Sequence, residues 1–307
     1  MTNPLASHPF EAYKNKLLDI RSGKAKSEVI PTGLIGWDTI LHGLKPGNTY
    51  IIGGRPGMGA TSVLLNIMNN ISVKNNISAC FISGESLEES LMSRLLSIHL
   101  CKPFVQTKVA GYSDGEMDFF MKGLDRLDQA PITFINLKGE YLDEVIALMK
   151  EQIAKGVRVF FLDCIQYLTL NNQLRLTRDQ EIGKIMRQLK DLMLESGAVL
   201  VAISTLSRSV ETRGGDKRPM LSDLRESGSL EMLADAVVFV YRPNYYGITE
   251  DENGRPTEND LELLVARNRD GYMGMAKFHF TESTGRLSET AALDHITIKD
   301  IRTEEFG

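Results

Sequence analysis

The sequence predicts an α/β fold in which helices cover a mostly parallel central sheet, with an antiparallel extension near the C terminus. Six short apolar runs alternate with helix-length segments whose apolar residues recur at helical spacing. Beyond them, two further strand-like runs are joined through Asp270-Gly271, a dipeptide typical of tight turns. The predicted strands are Thr49–Gly53, Ala79–Ser83, Ile132–Asn136, Val157–Asp163, Ala198–Ser204 and Ala236–Tyr241, then Glu262–Asn268 and Met275–Thr281 in the extension.

The composition fits one large domain with a buried core, because the chain has 307 residues of which 42% are hydrophobic. A net charge of -5 argues against a generally basic surface that coats nucleic acid. Any such contact would need a local basic patch or several subunits acting together. Cys80, Cys101 and Cys164 follow no metal-ligand spacing, which predicts reduced thiols.

The N-terminal residues lack the basic and apolar segments of a signal peptide. No apolar run approaches the roughly 20 residues that a membrane-spanning helix needs. We therefore expect a soluble, cytoplasmic protein without membrane contact. The expected division is an arm over 1–29, a main domain over 30–290 and a tail over 291–307, with an exposed acidic loop at 247–259.

The predicted arm contains Phe10, Tyr13, Leu17 and Ile20 at helical spacing. Such a stripe suits an arm that docks on a neighbouring subunit. It suits equally a helix that folds back on its own domain, and the residues alone leave both alternatives open.

A glycine-rich segment, GRPGMGAT, links the first predicted strand to a helical run and differs at one position from G-x-x-x-x-G-K-[ST]. In such loops the backbone N–H groups and the helix start hold phosphate oxygens, and the Ser/Thr hydroxyl binds Mg²⁺. The alternative is a chance glycine turn, which the strand, loop and helix order disfavours. The motif predicts ATP and Mg²⁺ as ligands of Gly54, Arg55, Gly57, Gly59, Ala60, Thr61 and Ser62.

Ala60 stands where the motif has its lysine. That lysine reaches the terminal phosphates, where negative charge gathers during phosphoryl transfer. Because the backbone donors remain, we expect nucleotide binding to survive and hydrolysis to fall by orders of magnitude.

Several separated segments are similar to the C-terminal motor domain of DnaB-type replicative DNA helicases of superfamily 4. The resemblance extends from about residue 30 to residue 285 and implies a RecA-like P-loop NTPase fold. The segments are IPTGLIGWDTILHGLKPG, GGRPGMG, ISGESLEESLMSRLL, FFLDCIQYL, SRSVETRGGDKRPMLSDLRESGSLEMLADAVVFVYR and ARNRDGYMG.

The resemblance assigns roles to four residues outside the loop. Glu85 matches the catalytic glutamate that orients the attacking water, and Asp163 matches the Walker B carboxylate that, with Thr61, holds Mg²⁺. Arg267 and Arg269 match two cations offered to the γ-phosphate on the neighbouring subunit, although the first is commonly lysine in the family. The alternatives are a solvated glutamate at a helix start and ordinary surface arginines.

A second departure from the family pattern is Thr205, which follows the strand at a position where the family has a glutamine that links nucleotide to DNA. Ala60 could be a natural change in a degenerate paralogue or an engineered substitution. Two altered polar positions favour natural divergence.

The segment from Arg208 to Arg225 is locally basic although the whole chain is acidic. In DnaB-like rings this region lines the central channel, so the resemblance implies backbone contacts to single-stranded DNA without sequence preference. A solvated charged loop is the alternative. The predicted DNA-binding residues are Arg208, Arg213, Lys217, Arg218, Arg225, Glu226 and Gly228.

The leading hypothesis is a DnaB-like ring ATPase domain, a homo-hexamer that binds ATP and single-stranded DNA and hydrolyses ATP poorly. Thirty residues leave no room for the family's N-terminal helical domain, so primase recruitment through it is not expected. The alternative is a non-enzymatic paralogue that co-assembles with, or blocks, an active helicase; a helicase loader is a further candidate partner. A RadA-like strand-exchange ATPase is disfavoured by DLRESGS and ARNRD.

Overall fold

The computed structural model describes residues 9–25, 27–137, 141–171, 176–215, 217–224, 228–289 and 296–299. Within them, ten strands form one mixed sheet in the order β10-β8-β7-β6-β1-β5-β4-β2-β3, with β9 also paired to β8. The strands are β1 Thr49–Gly54, β2 Ala79–Ser83, β3 Ile132–Asn136, β4 Val159–Asp163, β5 Val199–Thr205, β6 Ala236–Tyr241, β7 Asp260–Asn268, β8 Met273–Thr281, β9 Arg286–Glu289 and β10 Ile296–Lys299.

The predicted fold class is confirmed, because β1 to β6 pair in parallel and β7 to β10 pair antiparallel. Each predicted strand is present with ends that differ by at most two residues. Two strands, β9 and β10, were not predicted; they have four residues each and are supported by pairing with β8.

Helices cover both faces of the sheet. The described helices are α1 Pro9–Arg21, α2 Ile35–Leu41, α3 Ala60–Met68, α4 Glu88–Leu100, α5 Asp114–Asp128, α6 Leu142–Ala154, α7 Arg178–Ser196, α8 Ser209–Thr212 and α9 Gly228–Leu233.

Successive residues of the parallel strands point to opposite faces, and both faces are apolar. Phe81 and Phe161 belong to the core shared with α2, α3 and α4, and their ring centroids are 6.0 Å apart. Phe160 and Leu200 belong to the core shared with α6 and α7. This two-sided burial explains why the strands are continuous apolar runs in the sequence.

The carboxyl ends of the central parallel strands meet at one edge of the sheet. Ser83 pairs with Asp163, and Gly54 pairs with Thr205. Loops that follow these strands therefore converge, and this is where open α/β sheets bind ligands.

The helix α1 leaves its apolar stripe exposed: Phe10 is 84% exposed, Tyr13 60% and Leu17 48%. An ion pair of 2.8 Å between Lys16 and Glu28 ties the helix to the segment before the sheet. Within the described residues the stripe is not covered by its own domain, which favours the docking alternative over the folded-back helix.

The cysteines are free thiols, with Cys80 and Cys164 buried and Cys101 exposed. Among the described residues, no helix combines the length and the apolar character that crossing a bilayer requires. The loop at 247–259 is mostly exposed, as expected, although Thr257 is buried within it.

Candidate functional site

The loop between β1 and α3 has the backbone conformation that a phosphate loop requires. Gly57 and Gly59 have φ values of 83° and 94°, in the left-handed region where side chains are strained. An added Cβ at Gly54 would lie 3.3 Å from the Cβ of Ala60, so the strand and the helix start approach closely. The backbone conformation at Gly57 and Gly59 and the close approach at Gly54 thus explain why these positions are glycine.

The helix α3 begins at Ala60 without a side-chain cap, and its first described intrahelical bond runs from the amide of Val63 to the carbonyl oxygen of Gly59. The preceding amides in the first turn are available to an anion, which the positive end of the helix dipole also favours. Ala60 itself is buried and brings no charge to this cradle.

The pair of residues predicted to hold Mg²⁺ is in direct contact. The Thr61 hydroxyl donates a hydrogen bond of 2.8 Å to Oδ2 of Asp163, which ends β4 and is 2% exposed. Glu85 follows β2, and ligand atoms of Glu85, Asp163 and Cys164 lie within 4.8 Å of one another. A hydroxyl and two carboxylates are the oxygen donors that suit Mg²⁺.

Burial raises the pKa of Asp163 to about 6; the nearby Glu85 charge raises it too, whereas the Thr61 hydrogen bond and Arg94 lower it. A bound divalent cation would stabilise the ionised carboxylate and so lower this pKa. Burial therefore disfavours the carboxylate when no cation is bound, and a cation would offset that cost.

Arg94, on α4, lies beside the site although its sequence position did not predict it. Its Nη2 atom donates a hydrogen bond of 3.2 Å to the Ser62 hydroxyl in the first turn of α3. Burial lowers the pKa of Arg94, while Asp163 and Glu85 act in the opposite direction. One signal in the sequence could have identified Arg94. It lies three positions after Leu91 in the apolar stripe of a predicted helix, where a charged residue is unusual.

Arg55 of the loop points towards the segment after β5. Its Nε donates 2.9 Å to Glu211 of α8, and its Nη1 donates 2.9 Å to the carbonyl oxygen of Leu206. The phosphate loop is thereby tied to the start of the basic segment.

Thr205 ends β5 close to an amide supplied by another residue. Gln166 accepts a 3.2 Å hydrogen bond from the Thr205 amide and donates 2.8 Å to the Ser204 hydroxyl. A polar amide is therefore present near the position that Thr205 alters.

Arg267 and Arg269 lie at the opposite edge of the sheet from the phosphate loop, because β7 runs antiparallel and Asn268 pairs with the first residue of β6. The Arg269 side chain is 62% exposed and lies 3.4 Å from Asp235. Arg267 is half-buried, with its Nε unpaired. These arginines are thus separated from Glu85 and Asp163 within one chain.

The cations of the basic segment differ in their surroundings. Arg208 is exposed, whereas Arg213 forms an ion pair with the buried Asp223. Lys217 lies 5.1 Å from the centre of the Tyr246 ring.

Arg218 forms a 3.0 Å ion pair with Glu262, which is 1% exposed, and lies over the Tyr241 ring. Gly228 begins α9. The predicted contacts at Arg225 and Glu226 lie outside the described residues.

A phosphate loop lies at the carboxyl edge of a mostly parallel sheet, one acidic residue ends β4 and another follows the neighbouring β2. These features define a RecA-like P-loop NTPase domain. The family described as DnaB-like helicase C terminal domain matches residues 29–289, and the chain belongs to this family.

Curated relatives support the same family. The replicative DNA helicase DnaC of Bacillus subtilis (strain 168) is 31% identical over 278 residues, which cover 90% of this chain and 60% of that protein. The probable replicative DNA helicase of Trieres chinensis is 34% identical over 269 residues, covering 86% and 58%. The chain thus spans about three fifths of the length of these relatives.

Solved structures support the same fold and family. One solved ATPase domain has a TM-score of 0.82 and 29% identity, covering 92% of this chain and 98% of that one. A DnaB-like replicative helicase, described with its interactions with primase, has a TM-score of 0.78 and 28% identity, covering 91% and 66%.

Proposed function

We propose that the chain is the motor domain of a ring-forming, DnaB-like replicative DNA helicase that binds Mg·ATP and single-stranded DNA but hydrolyses ATP poorly. The observation that carries the proposal is the uncapped start of α3 beside the Thr61–Asp163 contact, with the uncharged Ala60 as the first residue of the helix. The groups that would bind nucleotide are present, and the lysine of the phosphate-loop motif is missing.

Nucleotide binding is supported by the free amides of the α3 first turn and by the oxygen donors of Thr61 and Asp163. Mg²⁺ bound there would neutralise phosphate charge and orient the phosphates. Glu85, on the neighbouring strand end, is exposed and can accept a hydrogen bond from a water molecule aligned with the γ-phosphate.

Weak hydrolysis follows from the change at residue 60. In the transition state, charge builds on the transferred phosphoryl oxygens, and a fixed cation stabilises that charge more than it stabilises bound ATP. Ala60 carries no charge and cannot stabilise the transition state in this way. The missing cation should therefore lower the rate of ATP hydrolysis far more than the affinity for ATP.

Ring assembly is supported by two features on opposite parts of the chain. The exposed stripe of α1 needs an apolar partner, and Arg269 lies at the sheet edge away from its own phosphate loop. A neighbouring copy would cover the stripe and receive Arg267 and Arg269 at its γ-phosphate. We propose residues 1–29 as the docking arm, 30–290 as the motor and 291–307 as a tail.

DNA binding is supported by the exposed Arg208 and by the link from Arg55 to Glu211, which joins the phosphate loop to the basic segment. Arg213 and Arg218 already pair with Asp223 and Glu262, so their charges hold the segment in place. Lys217, Arg225, Glu226 and Gly228 complete the proposed contact surface.

The test is nucleotide and DNA binding measured alongside turnover. The proposal expects binding of Mg·ATP and of an unlabelled oligonucleotide to the intact protein, with little phosphate release. A chain that binds neither ligand would refute it.

The second candidate is a non-enzymatic paralogue that enters the ring of an active helicase, and the paired departures at Ala60 and Thr205 favour it. Adding the chain to an active DnaB-like helicase and measuring unwinding separates the two. A dose-dependent change in unwinding that persists in Glu85→Gln supports the second candidate, whereas unchanged unwinding refutes it.

A further inference from the structure

Arg94 is a cation on the apolar face of α4. Leu91, Leu95 and Ile98 lie on the same face and are buried. Arg94 itself is half-buried, so its guanidinium group loses part of its hydration, which is unfavourable unless a counter-charge or hydrogen bonds replace the water. A negatively charged partner would offset this loss.

The partner in the described structure is neutral. The guanidinium donates to the Ser62 hydroxyl at 3.2 Å, and among the described residues no carboxylate forms an ion pair with Arg94. Arginine remains protonated in proteins, so the charge persists without an ion pair. This leaves most of the guanidinium donors for another group.

The position of Arg94 identifies that group. Ser62 follows Thr61 in the first turn of α3, and Asp163 and Glu85 influence Arg94 electrostatically. Arg94 thus lies against the first turn of α3, within electrostatic reach of the two carboxylates of the predicted Mg²⁺ site.

The charge around the loop would be negative without Arg94. Ala60 is neutral, and Arg55 is engaged with Glu211. Arg242 donates a 3.2 Å hydrogen bond to the carbonyl oxygen of Gly57 in the loop, and its charge is paired with Glu282. Two carboxylates, Glu85 and Asp163, would then face an anionic ligand without an unpaired cation among these residues. One guanidinium at this position offsets part of that repulsion.

We propose that Arg94 contacts the phosphates of a bound nucleoside triphosphate and supplies the ground-state charge that a lysine at residue 60 would supply. This rests on the proposed function, namely that the chain binds Mg·ATP. It extends that function by assigning affinity to a helix outside the loop. It would also account for nucleotide binding without a lysine at residue 60.

Isothermal titration calorimetry with Mg·ATP tests the inference on the full chain. Hydrogen bonds to charged groups predict that Arg94→Ala weakens Kd by about 10- to 100-fold. Arg94→Lys, which keeps the charge but not the planar fork, should retain part of the affinity. Lys102→Ala is the matched control, since it removes one positive charge just beyond α4 that pairs with Glu116, and its Kd should not change.

The Ala60→Lys background provides the second test. If the two cations share one role, the effect of Arg94→Ala on log Kd should fall to less than half once lysine is present. Equal effects in both backgrounds would overturn the inference.

Folding is checked by circular dichroism, and Arg94→Gln, which keeps the side-chain length, replaces Arg94→Ala if the latter unfolds. An unchanged Kd in a folded Arg94→Gln overturns the inference and leaves nucleotide binding intact. No heat of binding in the unsubstituted chain would overturn both the inference and the proposed function.

Discussion

Asp163 is buried at the end of β4, and its carboxylate is unfavourable there when no cation is bound. Its pKa is raised to about 6, so the folded protein holds this proton more tightly than the unfolded chain does. The contribution of this group to stability is therefore fully present below pH 3.8 and is lost as the pH rises through about 6. Asp163→Asn removes the ionisation and should stabilise the protein at neutral and alkaline pH.

The size of the effect follows from the pKa shift. A rise from 3.8 to about 6, at about 1.4 kcal/mol per unit, corresponds to at most about 3 kcal/mol at pH 8. At pH 5 the acid is mostly protonated in the folded state, and the gain should be about half as large. The asparagine oxygen can still accept the Thr61 hydrogen bond, so this contact is kept.

Thermal unfolding followed by circular dichroism, in EDTA and without nucleotide, measures the change. For a domain of this size the gain at pH 8 corresponds to roughly 5 °C in Tm. Asp125→Asn, an exposed acid on α5, is the control and should not change Tm. A lower Tm for Asp163→Asn at pH 8, or an equal gain at pH 5 and pH 8, would refute the reasoning.

Three further predictions concern other contacts. Arg55→Ala should remove the effect of Mg·ATP on single-stranded DNA affinity, because the link to Glu211 is lost; fluorescence anisotropy that shows the effect unchanged would contradict this. Lys190→Met should lower the free energy of unfolding by about 3 kcal/mol, because Asp235 loses a buried partner at 2.9 Å; a loss below about 1 kcal/mol in urea unfolding would argue against it. Arg208→Ala should reduce the slope of log K against log salt for single-stranded DNA by about 0.7, and an unchanged slope would exclude a phosphate contact there.

The central strands were predictable because burial on both faces makes each one a continuous apolar run. The strands β9 and β10 were not, since four residues carry little periodicity and their pairing with β8 depends on the folded sheet. The helix α1 was predicted from its spacing, whereas its exposure required the structure.

The site was partly predictable for a similar reason. Gly57 and Gly59 are required by local backbone conformation, which a motif encodes. Arg94 depends on how α4 packs beside α3, and that packing is tertiary. The pairing of Arg218 with Glu262, 44 positions away, was likewise invisible in the sequence.

The central claim is that the site holds nucleotide while Ala60 limits its turnover. Steady-state phosphate release by this chain and by Ala60→Lys, each with saturating Mg·ATP and single-stranded DNA, tests it most directly. We predict that Ala60→Lys is faster by about 100-fold or more, with a Kd for Mg·ATP that changes much less. Equal turnover by the two proteins would contradict the account.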